Sequence, residues 1–134
     1  MMANLTITMD ASAAISVLVN EASKPDLLIA TAGRNLIAPN SVFWEVGNAF
    51  SAMLKRRSLP LRSAVKALDV FNSLPIRYVD VNLSEALQVA HDAGIYAYDA
   101  YLLVCARTFN APLLTLDKAL KRAAISLNIK IVEY

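Results

Sequence analysis

Cysteine and histidine are almost missing from this chain, with one of each in 134 residues. The lone Cys105 lies in the apolar run from Tyr101 to Ala106, so no disulfide can form within the chain. It reads as a small buried hydrophobe in a reducing cytosol. Without a cluster of thiolates or imidazoles, a zinc site is disfavoured. Long apolar runs are missing too. None approaches the roughly 20 residues of a spanning helix, so no membrane association is expected. The N-terminus has no basic region, and Asp10 interrupts the apolar stretch that a signal peptide requires. A soluble cytoplasmic protein is the expectation. No internal repeat, low-complexity tract or linker divides the sequence, which predicts one domain over residues 1–134.

Charge is sparse: 18% of residues are charged against 57% apolar, with a mean hydropathy of +0.45. That balance calls for a large core or for an apolar surface covered by a partner, and the partner is the preferred reading. The net charge of +2 is compatible with a phosphate-bearing ligand but too small to argue for one.

What the chain does have is an alternation of short apolar strands and helical runs. Leu5 to Met9 reads as a strand, with Asp10 or Ser12 as N-cap of a helix over Ala13 to Val19. A second short helix starts at Pro25-Asp26 and ends near Gly33, and Leu36 to Ala38 is a buried strand stopped by Pro39-Asn40. Helices follow over Ser41 to Arg57 and Leu61 to Asn72, then a strand over Ile76 to Val81 and a helix over Ser84 to Ala93. Tyr98 to Phe109 is an apolar helix, Pro112 to Leu116 a strand, Asp117 to Leu127 a helix, and Ile129 to Glu133 a last strand. Strands too apolar to have a wet face, alternating with helices, predict an α/β fold with a mainly parallel sheet covered on both faces.

Four acids interrupt this apolar pattern: Asp10, Glu45, Asp99 and Asp117. Asp10 and Asp117 each follow a strand, where parallel sheets place their ligand sites. Glu45 shares a helix face with Val42, Val46, Ala49, Phe50 and Met53. Asp99 opens the helix before the fourth strand. Two carboxylates about 5 Å apart repel by roughly 3 kcal/mol at an effective dielectric near 20, so four together call for a divalent cation, protonation or a basic partner. All-oxygen donors suit hard cations, Mg2+ or Mn2+, which recruit phosphate oxygens and activate water for phosphodiester hydrolysis. Each acid also has a plainer role. Asp10 and Asp117 can be helix N-caps, Glu45 the partner of an arginine, and Asp99 the cap of a helix starting at Ala100.

The motifs carrying these acids resemble one family. Met9-Asp10-Ala11-Ser12-Ala13, Ala38-Pro39 followed by Trp44-Glu45-Val46 and Asn48-Ala49, Ala97-Tyr98-Asp99-Ala100-Tyr101, and Pro112 to Leu120 with Thr115 and Asp117 are similar to the successive motifs of PIN-domain ribonucleases. The toxin branch, VapC of toxin-antitoxin pairs, is the nearest match. The resemblance implies a PIN-like three-layer sandwich and a Mg- or Mn-dependent endoribonuclease, with Asp10 and Asp99 as central metal ligands and Glu45 and Asp117 completing the set. It implies that Ser12 and Thr115 orient the acids or their waters; helix capping and a strand-end hydroxyl are their plainer roles. It also implies a homodimer and a VapB-like antitoxin, for which Met53, Leu54, Leu59, Leu61, Val65 and Leu68 are candidate groove residues, core packing being the alternative. Arg34, Arg56, Arg57, Lys118, Lys121 and Arg122 are candidates for steering RNA. Ala119 stands where some relatives have a further acid, which leaves one or two metal ions open.

Two other readings compete. A receiver-like signalling module would use Asp80 after the third strand as phosphoacceptor, but the paired acids and late lysine of receivers are missing. A catalytically silent PIN domain would bind RNA without cutting it. His91 and Asp92, before Gly94, read as a solvated helix end.

Overall fold

The computed structural model describes residues 6–19 and 24–134. The first expected strand is therefore seen from Thr6, and Leu5 lies outside the described residues. Strand β1 (Thr6–Met9) runs into helix α1 (Ala11–Leu18), followed by α2 (Lys24–Thr31) and β2 (Asn35–Pro39). Helices α3 (Asn40–Lys55) and α4 (Leu61–Ser73) lead to β3 (Ile76–Val79), and α5 (Leu83–Ala93) and α6 (Ala97–Thr108) lead to β4 (Leu113–Leu114). Helix α7 (Lys118–Ser126) comes last.

The sheet order is β3-β2-β1-β4, with all pairs parallel. Thr6 stands opposite Asn35, Leu36 opposite Ile76, and Met9 opposite Leu114. Ile7, Thr8 and Met9 are all buried, as expected of a central parallel strand with both faces covered. The chain steps from β1 to β2 to β3 in one direction and then returns past β1 to β4. Right-handed crossovers put α1 to α4 on one face and, after the reversal, α5 and α6 on the other. The helix contacts group in the same way: α1 packs on α2, α3 and α4, and α5 packs on α6.

Helix α6 is the buried one, with Ala100 and Leu102 to Ala106 all inside, packed on β1, β2 and β4. Its Cys105 packs with Ile37, Val79 and Ala111, and burial pushes the thiol up to about 11, against a weak contact with Thr8. Cys105 is thus a packing residue. Gly94 ends α5 in the left-handed conformation, φ 67°, and the following Ile95 N–H returns to the Ala90 carbonyl at 3.0 Å. A residue with a Cβ would be strained there.

Three expected strands come out shorter. β3 stops at Val79 rather than Val81, and β4 keeps only Leu113 and Leu114 of Pro112 to Leu116. Pro112 has no N–H to give, while the Leu116 and Asp117 N–H groups turn to the Ser12 and Thr115 hydroxyls instead of a neighbouring strand. The last strand, Ile129 to Glu133, reduces to one parallel bridge between Ile131 and Leu113. Two hydrogen bonds hold it, from Leu113 N–H to Lys130 O at 2.9 Å and from Val132 N–H to Leu113 O at 2.8 Å. A two-residue partner offers nothing further to pair with.

Candidate functional site

Asp10 and Asp117 follow β1 and β4, the neighbouring strands between which the chain reverses direction, so both stand at the switch point of the sheet. Asp10 is 5% exposed. It is the N-cap of α1, accepting from Ala13 N–H at 2.9 Å. The Ser12 hydroxyl reaches both of its oxygens, at 2.7 and 2.9 Å, and the Thr115 hydroxyl donates to Oδ2. Ser12 Oγ in turn accepts from Leu116 N–H at 3.0 Å, and Thr115 Oγ1 from Asp117 N–H at 3.0 Å. Ser12 is therefore not the helix cap but a strut between Asp10 and the β4 exit.

Asp117 is the N-cap of α7, its Oδ1 accepting from Ala119 and Leu120 N–H at 2.9 and 3.2 Å. Capping and a place at the sheet edge coexist in both residues. Asp99 is not a cap: α6 starts at Ala97 and its N-cap is Tyr96, which leaves Asp99 in the first turn. A carboxylate is favourable there because the helix dipole is positive at that end.

Glu45 lies one turn into α3, and its Oε1 is buried without a hydrogen-bond partner. No arginine pairs with it. Among the described residues the ion pairs are Arg107 with Glu85 and His91 with Asp92, neither involving the four acids. The Ser41 hydroxyl, one turn earlier, is likewise buried without a bond in normal geometry.

The acids perturb one another. Burial pushes Asp10 above the usual carboxylate range, against the bonds from Thr115, Ala13 and Ser12, and Asp117 adds to the rise. Glu45 is pushed from 4.5 to about 7, first by burial, then by Asp10, with Asp99 adding and Ser41 opposing. Burial and Asp117 also raise Asp99. Asp117 thus acts on Asp10 and Asp99, and both of these act on Glu45, which links the four carboxylates although α3 and α6 lie on opposite faces of the sheet.

A cleft of about 630 Å3 opens beside Glu45, the one of the four acids that lines it, together with Ser12, Ile15, Ser41, Trp44, Asn48 and Tyr98 among others. Helical spacing around Glu45 points to Ser41 and Asn48, at four residues before and three after. Nothing local in the sequence puts Trp44 and Tyr98 on one cleft, because they belong to helices on opposite faces.

The other expected residues divide by position. Lys118, Lys121 and Arg122 are on α7, next to Asp117, where Lys121 Nζ also donates to Tyr134 Oη at 3.2 Å. Arg56 and Arg57 follow the far end of α3, about 16 Å along the helix axis from Glu45 at 1.5 Å per residue. Arg34 precedes β2, at the opposite edge of the sheet from the acids. Asp80 follows edge strand β3, accepting from Asn40 Nδ2 at 2.7 Å, away from the switch point. His91 and Asp92 are exposed.

A hard divalent cation fits the chemistry of this donor set: oxygen atoms only, an orphaned buried carboxylate oxygen, and no cationic side chain among the described residues to neutralise it. As the side chains stand, no group of three or more described acid, His or Cys residues is arranged to hold a metal ion. No described helix is long and apolar enough to cross a membrane.

Comparison with known proteins gives one family and several folds. The family model described as PIN domain matches residues 7–126. No curated protein matches the chain. Among solved structures, PAE2754 from Pyrobaculum aerophilum is 23% identical with a TM-score of 0.66, covering 90% of this chain and 80% of that one. VapC20 of Mycobacterium tuberculosis, a sarcin-ricin loop cleaving toxin, is 18% identical with a TM-score of 0.63, covering 87% and 94%. VapBC2 from Rickettsia felis, bound to a DNA fragment from its promoter, is 17% identical with a TM-score of 0.66, covering 96% and 97%. At these identities the likeness establishes the shared fold.

Proposed function

The chain belongs to the PIN domain family, and from that membership and its acid cluster we propose a metal-dependent endoribonuclease that hydrolyses RNA phosphodiester bonds, acting as the toxin of a VapBC-type pair. The observation that carries the reading is Glu45: a buried carboxylate oxygen with no donor, raised to about 7 beside Asp10 and Asp99, with no cation paired to it among the described residues. Such an arrangement is unfavourable in the empty protein and favourable around a divalent ion.

Asp10, Glu45, Asp99 and Asp117 would hold magnesium or manganese. When bound, the ion lowers the pKa of a coordinated water and neutralises charge on the phosphate oxygens. The chain's own part is positioning. Ser12, Thr115 and the Ala13 N–H fix the Asp10 carboxylate from three directions, which removes the entropy of orienting it when substrate arrives. Asp117 is fixed in turn by the first turn of α7. Lys118, Lys121 and Arg122 beside Asp117 supply positive potential for the flanking phosphates.

The partners follow from the family and from the surface: a second copy of the chain, and a VapB-like antitoxin. Leu61 and Val65 of α4 are exposed, whereas Met53, Leu54, Leu59 and Leu68 pack against the core, so only part of the expected groove is available. A cytoplasmic site of action belongs to the same proposal.

Incubating the purified chain with a defined RNA, with and without manganese, tests the reading. Cleavage is expected only with the ion, and Asp99→Asn should abolish it, by at least about a hundredfold, while keeping the parent's circular dichroism. Undiminished cleavage by that variant removes the proposed site. One observation favours a silent RNA-binding domain instead, namely that no three described ligands are arranged for an ion. That reading expects RNA binding with no cleavage at any metal concentration.

A further inference from the structure

Two exposed aromatic rings share the cleft with Glu45. Trp44 precedes Glu45 on α3, and Tyr98 precedes Asp99 on α6, so each helix-borne acid has an aromatic residue one position earlier. One residue is about 100° of helix rotation, enough to leave the acid inside and turn the ring outward. Trp44 is 74% exposed and Tyr98 58%, and both line the cleft with Ser12, Ser41 and Asn48.

Neither ring stands alone. Phe43 meets Trp44 edge to face, centroids 5.0 Å apart at 88°, and is itself backed by Phe71 and Tyr78. Tyr101 meets Tyr98 in the same way, at 5.8 Å and 88°. These edge contacts brace the two rings, yet the rings remain largely in solvent. Core packing does not account for them.

The chemistry of the walls selects the occupant. A phosphate is repelled by the Glu45 carboxylate, the one acid in the walls, whereas a flat, uncharged ring stacks on an indole or phenol face whatever its sequence. We propose that Trp44 and Tyr98 stack nucleobases of an unpaired RNA segment and so position the adjacent phosphate at the acids. The inference rests on the nuclease reading of the same site. It makes the substrate single-stranded at the cut, because bases within a duplex have their faces occupied by each other.

Trp44 is the only tryptophan in the chain, so its fluorescence reports directly on the cleft. The probe is a short single-stranded oligoadenylate, with calcium replacing magnesium to slow turnover, against an abasic oligomer of the same length and charge. Quenching is expected with the base-bearing oligomer and not with the abasic one. Trp44→Ala and Tyr98→Ala should each raise KM for RNA cleavage at least about fivefold, the lower end of the loss per stacked base. Trp44→Phe should recover most of it, with kcat within about twofold throughout. Melting curves matching the parent identify the alanine variants as folded. If the parent cuts RNA but both alanine variants cut it with parental KM, or if the abasic oligomer quenches equally, the stacking inference is wrong and the nuclease reading stands. If the parent neither binds nor cuts RNA, both fall together.

Discussion

Asp10 and Glu45 meet burial in opposite ways. Asp10 accepts hydrogen bonds from two hydroxyls and an amide, which partly offset the cost of enclosing its charge. Glu45 has an oxygen with no donor, and its carboxyl rises to about 7. In the metal-free protein the folded form therefore keeps a proton that the unfolded chain has already lost between pH 4.5 and about 7. Stability must fall as pH rises through that window, because the native state binds the extra proton. For a half-buried carboxylate partly screened by solvent the loss is about 1–2 kcal/mol. Chemical denaturation in chelator at pH 5 and pH 8 should show it, with Glu45→Gln flattening the difference. Parallel slopes for the two proteins would mean that Glu45 is not the group responsible. At this scale the sequence is informative about identity: an acid among Val42, Val46 and Phe50 stands out by spacing alone. It is silent about Asp10's partners, since the Thr115 hydroxyl that reaches it is 105 residues away in the chain.

At the scale of elements, α7 has its N-terminus at the site, and Asp117 does two jobs that substitution can separate. Asparagine also caps a helix, whereas alanine does not. Asp117→Asn should therefore keep the parent's melting temperature within about a degree in chelator, while Asp117→Ala should lose about 1 kcal/mol, or roughly 3–5 °C. Both should reduce manganese-stimulated cleavage of RNA; an asparagine variant as active as the parent excludes Asp117 from metal binding. The helices are legible in the sequence to within a few residues because period, proline and glycine mark their ends locally, as with Pro60 before α4 and Gly94 after α5. The strands are less so. Their apolar character extends beyond their pairing, and β4 is cut to two residues because the Leu116 and Asp117 N–H groups bond to the Ser12 and Thr115 hydroxyls, not because hydrophobicity changes there.

For the whole molecule the decisive feature is the reversal of strand order between β1 and β4. It puts α3 and α6 on opposite faces yet lets both deliver an acid to the same sheet edge. The apolar-rich composition has an outlet at this scale as well. Ile29, Leu61 and Val65 are exposed on α2 and α4, and Leu83 and Leu87 on α5 across the sheet; the proposed second copy would cover one of these two faces. Light scattering is expected to return twice the 14.6 kDa chain mass; a monomer at micromolar concentration would count against the proposed second copy.

The sequence by itself determined the α/β alternation, the four candidate acids and the oxygen-only chemistry they share, because each of these is written in residue type and in spacings of a few positions. Tertiary structure decided what the acids have to do with each other. Neither the partnership of Ser12 and Thr115 around Asp10 nor the shared cleft of Trp44 and Tyr98 can be read from any local pattern. Both depend on which strands become neighbours, and that is settled by burying the faces of the whole sheet at once.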